Sequence, residues 1–368
     1  MSARQHFHSL TASRLEATWL KRRLNRLVLS AAALVILLAF IGRSQDKGLL
    51  NYLGEYATSM PSKWLEATEG VDEDCVLPFD DKPSSWSPLR TAFVQSFRQR
   101  CQLDQKRFTI LMTTSTARVE IVKRNLARFA AGEVPSLAGV FVRWMGDMPT
   151  EPVFNSSASK IPITIQDHQH PSLNNRWHVI PDLNTTYVFS LDDDMEMNSA
   201  DVEWGWQYAR MFRPTMTSFV GRRFDVSKDG QHPEYRSGNV GQSYAMGLSS
   251  SWIHSSFLDI YHHSWLDVVR ELIDTLTNCE DIAMTFLVAQ ILRVPPLLVN
   301  GAEDIIVCDH VAGAISLQKD HWLERDRCTA AFYTHFGEMP PERDFTIVRG
   351  LTAGNRKIKL KDIDPTLY

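Results

Sequence analysis

The sequence predicts an α/β domain: an open, largely parallel sheet flanked by helices. Three observations carry that expectation. Short apolar runs at 108–113, 140–144 and 187–191 have the length and the β-branched and aromatic content of buried strands. Between and after them, stretches such as 118–131 and 200–212 place apolar residues at helical spacing. The alternation of the two kinds is the pattern of a parallel sheet joined by helical crossovers. The composition can fill such a core, since 44% of the 368 residues are apolar and ten are tryptophan. A formal net charge of −4 offers no basic surplus, so no nucleic-acid partner is expected.

The elements follow in order. Residues 27–42, LVLSAAALVILLAFIG, carry no charge. The run is short of the roughly 20 residues that usually span a bilayer, a requirement that thinner internal membranes relax. Lys21, Arg22, Arg23 and Arg26 precede it, and only Arg43 and Lys47 follow closely. The positive-inside rule then leaves residues 1–26 as a cytosolic tail and the bulk of the chain in the lumen. A cleaved signal peptide and a buried core helix compete with this reading. The charged leader is long for a signal peptide, and no small-x-small site follows Phe40. The expectation is a single-pass type II signal anchor in the Golgi or ER membrane. Cys75, Cys101, Cys279, Cys308 and Cys328, with N-x-S/T tripeptides at Asn155 and Asn184, accord with a lumenal location.

Residues 43–105 mix Pro and Asp clusters with one helical stretch near 87–100, and read as a stem entering the catalytic domain. That domain is expected over 106–345, with 346–368 as a C-terminal tail. Within it the sequence predicts further strands at 161–165 and 217–221. Further helices are predicted at 265–276 and 281–292, and another opens in HPSLNNRW, 170–177. His168, His170, His262 and His263 lack a complementary Cys/His set and read as surface residues.

The stretch TYVFSLDDDMEMN, 186–198, runs a buried strand into Asp192, Asp193 and Asp194. Ligands of open α/β sheets bind at the carboxyl ends of the strands. Adjacent carboxylates stay ionised there only beside a compensating cation or strong hydrogen-bond donors. Oxygen-only ligands suit Mn²⁺ or Mg²⁺, and a pair of carboxylates leaves coordination positions for a diphosphate. Side-chain alternation on an extended segment puts Asp192 and Asp194 on one side and Asp193 on the other. Asp194, with Asp192, is therefore the expected metal pair, while Asp192 or Asp193 reaches the ribose or a metal-bound water. An EF-hand counted from Asp192 fails, because Met197 stands where the turn glycine belongs and a strand leads in. A strand running into D-x-D in a lumenal α/β domain points to a nucleotide-sugar glycosyltransferase.

Together with TNCEDIAMTFLVA (277–289), SLNNRW (172–177) and HWLERDRC (321–328), this stretch resembles the exostosin C-terminal domain, glycosyltransferase family 64, over residues 107–345. The resemblance implies a GT-A type fold, an open mixed sheet that binds a nucleotide sugar. It implies Mn²⁺-assisted, retaining transfer from a UDP-sugar, with GlcNAc or GalNAc moving to a glycan or glycolipid acceptor. Asp192, Asp193 and Asp194 match metal and nucleotide-sugar contacts, and Arg118, Asn175 and Arg176 match the nucleotide side. Asp281 matches the acidic residue beside the reacting centre, and Glu280, also expected to be catalytic, takes a place where the family often has Asp. His321 and Arg325 match basic residues that approach the diphosphate. Such a role suits arginine, whose planar fork donates two hydrogen bonds to one phosphate. Cys279 and Cys328 match a disulfide, which leaves Cys75 with Cys101 as a second pair and Cys308 free.

Read without the resemblance, Asp281 is a helix-start carboxylate capped by Asn278, and Arg325 one member of a surface charge run. The chain also departs from the family pattern. Trp144-Met145-Gly146 replaces W-N-N, Pro171 stands where Asn often precedes SLNNR, and Thr114–Arg118 replaces YNR. Donor identity therefore does not carry over. GDP-mannose with an inositol sphingolipid acceptor is the alternative, as is a non-catalytic glycan-binding member of the fold. Expected partners are the donor, the acceptor, a membrane through the N-terminal segment, and a second copy of the chain in a homodimer.

Overall fold

Apolar runs with no polar face make the centre of the sheet, because a strand covered on both sides has no solvent side to pattern. The computed structural model describes residues 88–342 apart from 156, 158, 169, 228–229, 231, 238–245, 248–249, 301–305 and 308–316, together with Leu77 and Thr346–Val348. The anchor expected over 27–42, Cys75, Cys308 and residues 349–368 of the expected tail lie outside these residues. The first three residues of that tail, Thr346–Val348, instead form a strand paired in the main sheet and belong to the domain. Among the described residues no helix is long and apolar enough to cross a membrane.

The strands are β1 (Asp104–Ser115), β2 (Leu137–Met145), β3 (Ile163–His168), β4 (Thr185–Asp192), β5 (Met195–Glu196), β6 (Thr217–Ser218) and β7 (Gly221–Val226). They continue with β8 (Pro233–Arg236), β9 (Met246–Gly247), β10 (Ser251–His254), β11 (Leu297–Asn300), β12 (Ile306–Val307) and β13 (Thr346–Val348). Eight of them form one sheet in the order β13-β11-β6-β10-β4-β1-β2-β3. Every neighbouring pair is parallel except those made by β10, which runs antiparallel to β4 and β6. The result is a mixed α/β fold with a mostly parallel central sheet. Its register sets Asp192, Thr113, Arg143 and Gln166 level across β4, β1, β2 and β3, near their carboxyl ends.

Helices cover both faces. They are α1 (Pro88–Arg100), α2 (Val119–Ala130), α3 (Ser199–Met211), α4 (Ser256–Tyr261), α5 (Asp267–Leu276), α6 (Glu280–Leu292) and α7 (His321–Phe336). Ile121, Val122, Leu126 and Phe129 give α2 one buried stripe, spaced as an amphipathic helix requires. It packs with Trp206 of α3 on the face built by Phe108, Ile110, Met112 and Phe189. There α3 lies so close that a Cβ on Gly205 would stand 2.6 Å from Phe219 and 2.7 Å from Trp252. The other face holds α1, α4 and α6 against Leu111, Val188 and Ile253. Helix α6 is buried nearly all round, as its run IAMTFLVA demands.

Three expectations change. The strand expected over 217–221 divides: β6 stays in the main sheet while β7 turns out to pair with β8 and β9. The helix expected to open in HPSLNNRW is a short 3₁₀ helix of five residues, Leu173–Trp177, capped by Ser172, and 3₁₀ geometry does not favour further extension. His168 and His262 are half-buried rather than surface residues. The rings of His178 and His262 stack at 3.8 Å, and His168 meets the Arg143 guanidinium at 3.1 Å. Helix α1, on the stem side of the expected boundary, packs Phe93 and Phe97 into the core.

Candidate active site

The site starts where β4 stops. The strand ends at Asp192, and Asp193 and Asp194 form the turn that follows. Alternation therefore fails at this point: Arg118 Nη1 reaches Asp193 Oδ1 and Asp194 Oδ2, each at 2.6 Å, so these two share a partner. Asp192 faces another way, toward Arg176 Nη2 at 2.7 Å. A turn frees consecutive residues from the two-fold side-chain period that holds only in extended backbone.

The turn is pinned from beneath. Asn125, buried in the apolar stripe of α2, donates from Nδ2 to the carbonyls of Asp193 (3.3 Å) and Met195 (3.2 Å). Arg118 closes the 3₁₀ turn Thr116–Arg118 that follows β1 and is the residue before α2. Burial opposes its charge, yet Asp193 and Asp194 raise its pKa. Burial also raises the pKa of Asp193. Asp194 is pushed up to about 6 by burial and by the charge of Asp192.

Arg176, on the 3₁₀ turn, joins the aspartates to α6. Its Nη1 lies 3.3 Å from Glu280 Oε1. Burial works against the Arg176 charge, but Asp192 and Glu280 outweigh it and raise its pKa. Glu280 is pushed up to about 7 by burial, with Asp281 and Asp192 adding repulsion that Arg176 only partly offsets. Asn175, on the same turn, points away from the acids: its Nδ2 donates to the His170 carbonyl at 2.8 Å.

At the start of α6, Asp281 accepts from Arg325 Nη2 at 2.7 Å. Burial alone would raise its pKa, but Arg325 holds it below the ordinary carboxylate value. Arg325 Nη1 also donates to Asn278 Oδ1 at 3.2 Å, which turns the amide nitrogen of Asn278 toward His321 Nδ1 at 3.1 Å. With that nitrogen accepting, the His321 ring carries its proton on Nε2. Burial and Arg325 lower the pKa of His321, which favours this neutral form. The Cys279–Cys328 disulfide fastens the start of α6 to α7, as the resemblance implies.

The structure thus brings nine of the expected residues together in three contact groups that follow one another along the chain: Arg118 with Asp193 and Asp194, Arg176 with Asp192 and Glu280, and Arg325 with Asp281 and, through Asn278, His321. Asn175 stands beside them without joining. Sequence reasoning missed Asn125, Arg143 and the true partners of Asn278. For Asn125 a signal existed, a lone amide in an apolar helical stripe. For Arg143 it was a charge within the run VFVRW. Arg143 is 1% exposed and donates to the carbonyls of His178 and Val179, so it anchors the segment that follows Arg176. Burial lowers its pKa to about 10.

Among the described residues no three His, Cys, Asp or Glu side chains converge as a metal site made by protein alone. A metal shared with a diphosphate is a different demand. When all five acids are ionised, they outnumber Arg118, Arg176 and Arg325 by two, the charge of one divalent cation. Beyond the effect of burial, Asp192 and Asp193 both repel the charge on Asp194, and all-oxygen donors suit Mn²⁺ or Mg²⁺. The residues present fit such an ion.

A mostly parallel sheet with an acid–guanidinium network at its carboxyl ends defines an α/β transferase domain. The model of the glycosyl transferase family 64 domain matches residues 108–348, and the chain belongs to that family: it is a glycosyltransferase of exostosin type. Glycosylinositol phosphorylceramide mannosyl transferase 1 of Arabidopsis thaliana is 28% identical over 254 residues, 64% of this chain and 74% of that protein. Exostosin-1 of Pongo abelii is 25% identical over 215 residues, 57% of this chain and 29% of its own. Human exostosin-2 is 26% identical over 237 residues, 63% of this chain and 32% of its own. The chain therefore spans most of the plant protein but less than a third of these exostosins. A Staphylococcus aureus TarS structure in complex with UDP-GlcNAc aligns with 11% identity and a TM-score of 0.32, over 50% of this chain and 54% of that one; nothing rests on so slight a likeness.

Proposed function

We infer that the chain transfers a sugar from a nucleoside-diphosphate donor to a glycan or glycolipid hydroxyl, with metal assistance and retention of configuration, on a GT-A type fold. The observation that carries this reading is the row of ion pairs at the aspartate turn, Arg176, the start of α6 and Arg325, in which Arg176 bridges Asp192 to Glu280. Asp194 would hold the ion, with Asp192 as its partner because the Asp192 charge acts on Asp194 more strongly than any other, although one oxygen of Asp192 is engaged by Arg176. When bound, the ion supplies Lewis-acid neutralisation of the diphosphate oxygens.

The chain's own groups do the rest. Arg325 and the Nε2–H of His321 offer fixed donors to a departing diphosphate in a water-poor site, where such donors count most. Asp281, kept ionised by Arg325, stabilises positive charge growing at the anomeric carbon or orients the acceptor hydroxyl. Arg118 and Arg176 hold the aspartates in place and face the nucleotide. The motifs shared with exostosins support a UDP-hexosamine donor, GlcNAc or GalNAc. The name of the plant relative supports a second reading, GDP-mannose with an inositol sphingolipid acceptor. The same reading places the catalytic domain in the lumen of the Golgi or ER, behind a signal anchor at 27–42, with the chain as a homodimer.

The test uses the full chain purified in detergent, a panel of UDP- and GDP-sugars with Mn²⁺, and nucleotide release as the signal. One donor is expected to turn over, and Asp194→Asn to lower that rate by about 100-fold or more, the scale of losing one charge-stabilising group. Turnover of no donor, or an unchanged rate in the variant, ends the reading.

A further inference from the structure

Beyond Asp281 the network runs into aromatic rings that the proposed donor chemistry does not use. The Arg325 guanidinium carbon lies 4.6 Å from the centre of the Tyr235 ring. Tyr235 in turn stacks on Trp322, with centroids 5.9 Å apart and planes 24° from parallel. Trp322 also meets the His321 ring nearly edge-on at 4.7 Å. Two short paths thus lead from Trp322 to Asp281, one through Tyr235 and Arg325, the other through His321, Asn278 and Arg325.

The exposures divide the pair. Tyr235 is 5% exposed and Trp322 is 48% exposed. The backing is rigid: the Tyr235 backbone N–H donates to Asp326 Oδ1 at 2.7 Å, tying β8 to α7, and the disulfide ties α7 to α6. A large aromatic ring left half in water beside a reaction centre calls for an occupant. Its surroundings limit what that is. Gln318, Lys319 and Asp320 beside it are exposed, and so are Leu317 and Leu323, so the ring sits on a surface of mixed polar and apolar character. A ligand with one apolar face and polar edges fits that setting. A pyranose is such a ligand, because its ring C–H bonds form a weakly positive face that packs on the electron-rich face of an indole.

We propose that Trp322, backed by Tyr235, is the platform on which a pyranose ring of the acceptor stacks, its hydroxyl edge turned toward Asp281 and Arg325. This rests on the glycosyltransfer reading above, and it names a residue and a ligand class for the acceptor side of that site. In that reading the metal and nucleotide belong to the aspartate end and the diphosphate departs beside Arg325 and His321, so the acceptor is left the side beyond these two, where Tyr235 and Trp322 lie.

The experiment is saturation-transfer NMR on the full chain in detergent, with UDP and Mn²⁺ present. The probes are the methyl glycosides of glucuronic acid, mannose and N-acetylglucosamine. At least one probe is expected to receive transfer at its ring C–H protons. Trp322→Ala is expected to reduce that signal about tenfold, as truncating a central aromatic contact does, while Trp322→Phe retains most of it. UDP affinity by calorimetry is expected to be unchanged in both variants, which shows the fold and the donor side intact. Wild-type binding of a pyranoside through Trp322 without any UDP affinity would keep the platform and remove the donor reading. The proposal is overturned if no probe receives transfer, or if Trp322→Ala leaves the signal as it was. It is equally overturned if Trp322→Ala converts a dimer to a monomer without touching the saccharide signal, since the ring then serves a contact between copies.

Discussion

Arg176 is the residue whose loss the network should tolerate least. It lies between Asp192 at 2.7 Å and Glu280 at 3.3 Å, and both acids stay behind in Arg176→Met. At an effective dielectric near 20 the two attractions are worth about 6 and about 5 kcal/mol gross. Desolvation of the three charges consumes most of that. What survives truncation is the penalty for stranded carboxylates, and breaking a buried pair from one side costs about 3–5 kcal/mol. Urea unfolding at pH 7.5, without nucleotide or metal, measures it. The double variant Arg176→Met, Glu280→Gln then asks where the loss comes from. Removing the charge on Glu280 leaves one acid stranded instead of two, so the second substitution should return at least about 1 kcal/mol more than Glu280→Gln gives in the wild-type chain, a coupling expected of residues in contact. A single variant within about 1 kcal/mol of wild type would place the pair among weak surface bridges. Failure of Glu280→Gln to restore anything would show that the loss is one of packing, and either result refutes the electrostatic account.

Two further expectations concern the frame. The Cys279–Cys328 bond closes a loop with a sequence separation of 49; chain entropy puts its contribution at about 4 kcal/mol. Unfolding of the Cys279→Ala, Cys328→Ala variant should therefore come at distinctly lower urea, and a linked peptide should appear on tryptic mapping only without reductant. His254 is buried, stacked on Phe97 and hydrogen-bonded to Ser256, and burial drives its pKa down to about 3. The unfolded chain takes up this proton below about 6.5 and the folded chain does not, so its contribution is full above that pH and is lost as pH falls toward 3. At pH 5 the loss is about 2 kcal/mol. His254→Asn should flatten the difference in urea midpoint between pH 7 and pH 5, and an unchanged difference would clear His254 of the effect.

Much of the site was legible because its chemistry is concentrated in short stretches. An apolar strand ending in Asp192 names both a sheet position and a charge problem, and NCED with HWLERDRC supplies the opposing groups. What the sequence left open is directional. The period of two sorted the aspartates wrongly, because the strand stops at Asp192 and the turn lets Arg118 gather Asp193 with Asp194. Asn278 read as a helix cap, the usual use of that residue before an acidic first turn. The cap position falls instead on Cys279, at φ 82°, and the disulfide occupies its side chain. Asn278 is thereby displaced from the helix axis to bridge Arg325 and His321. Neither outcome follows from residue types alone, since each depends on a partner brought in by a distant segment.

That dependence also explains why the site is built from so many fixed charges. Arg118, Arg176 and Arg325 come from the ends of three different elements, and each meets acids from another segment. A carboxylate cluster alone would push its own pKa values up until it neutralised, as Asp194 and Glu280 begin to do. Arginines alone would bind a diphosphate but would not release it readily. Interleaving the two leaves only a small negative excess when every acid is ionised. Asp281 is the exception, held ionised by Arg325 when its neighbour Glu280 is pushed the other way. Two adjacent carboxyls with opposed pKa shifts are the arrangement by which one position keeps a charge and the next can carry a proton. It falls at the start of α6, where the helix end favours the charged form.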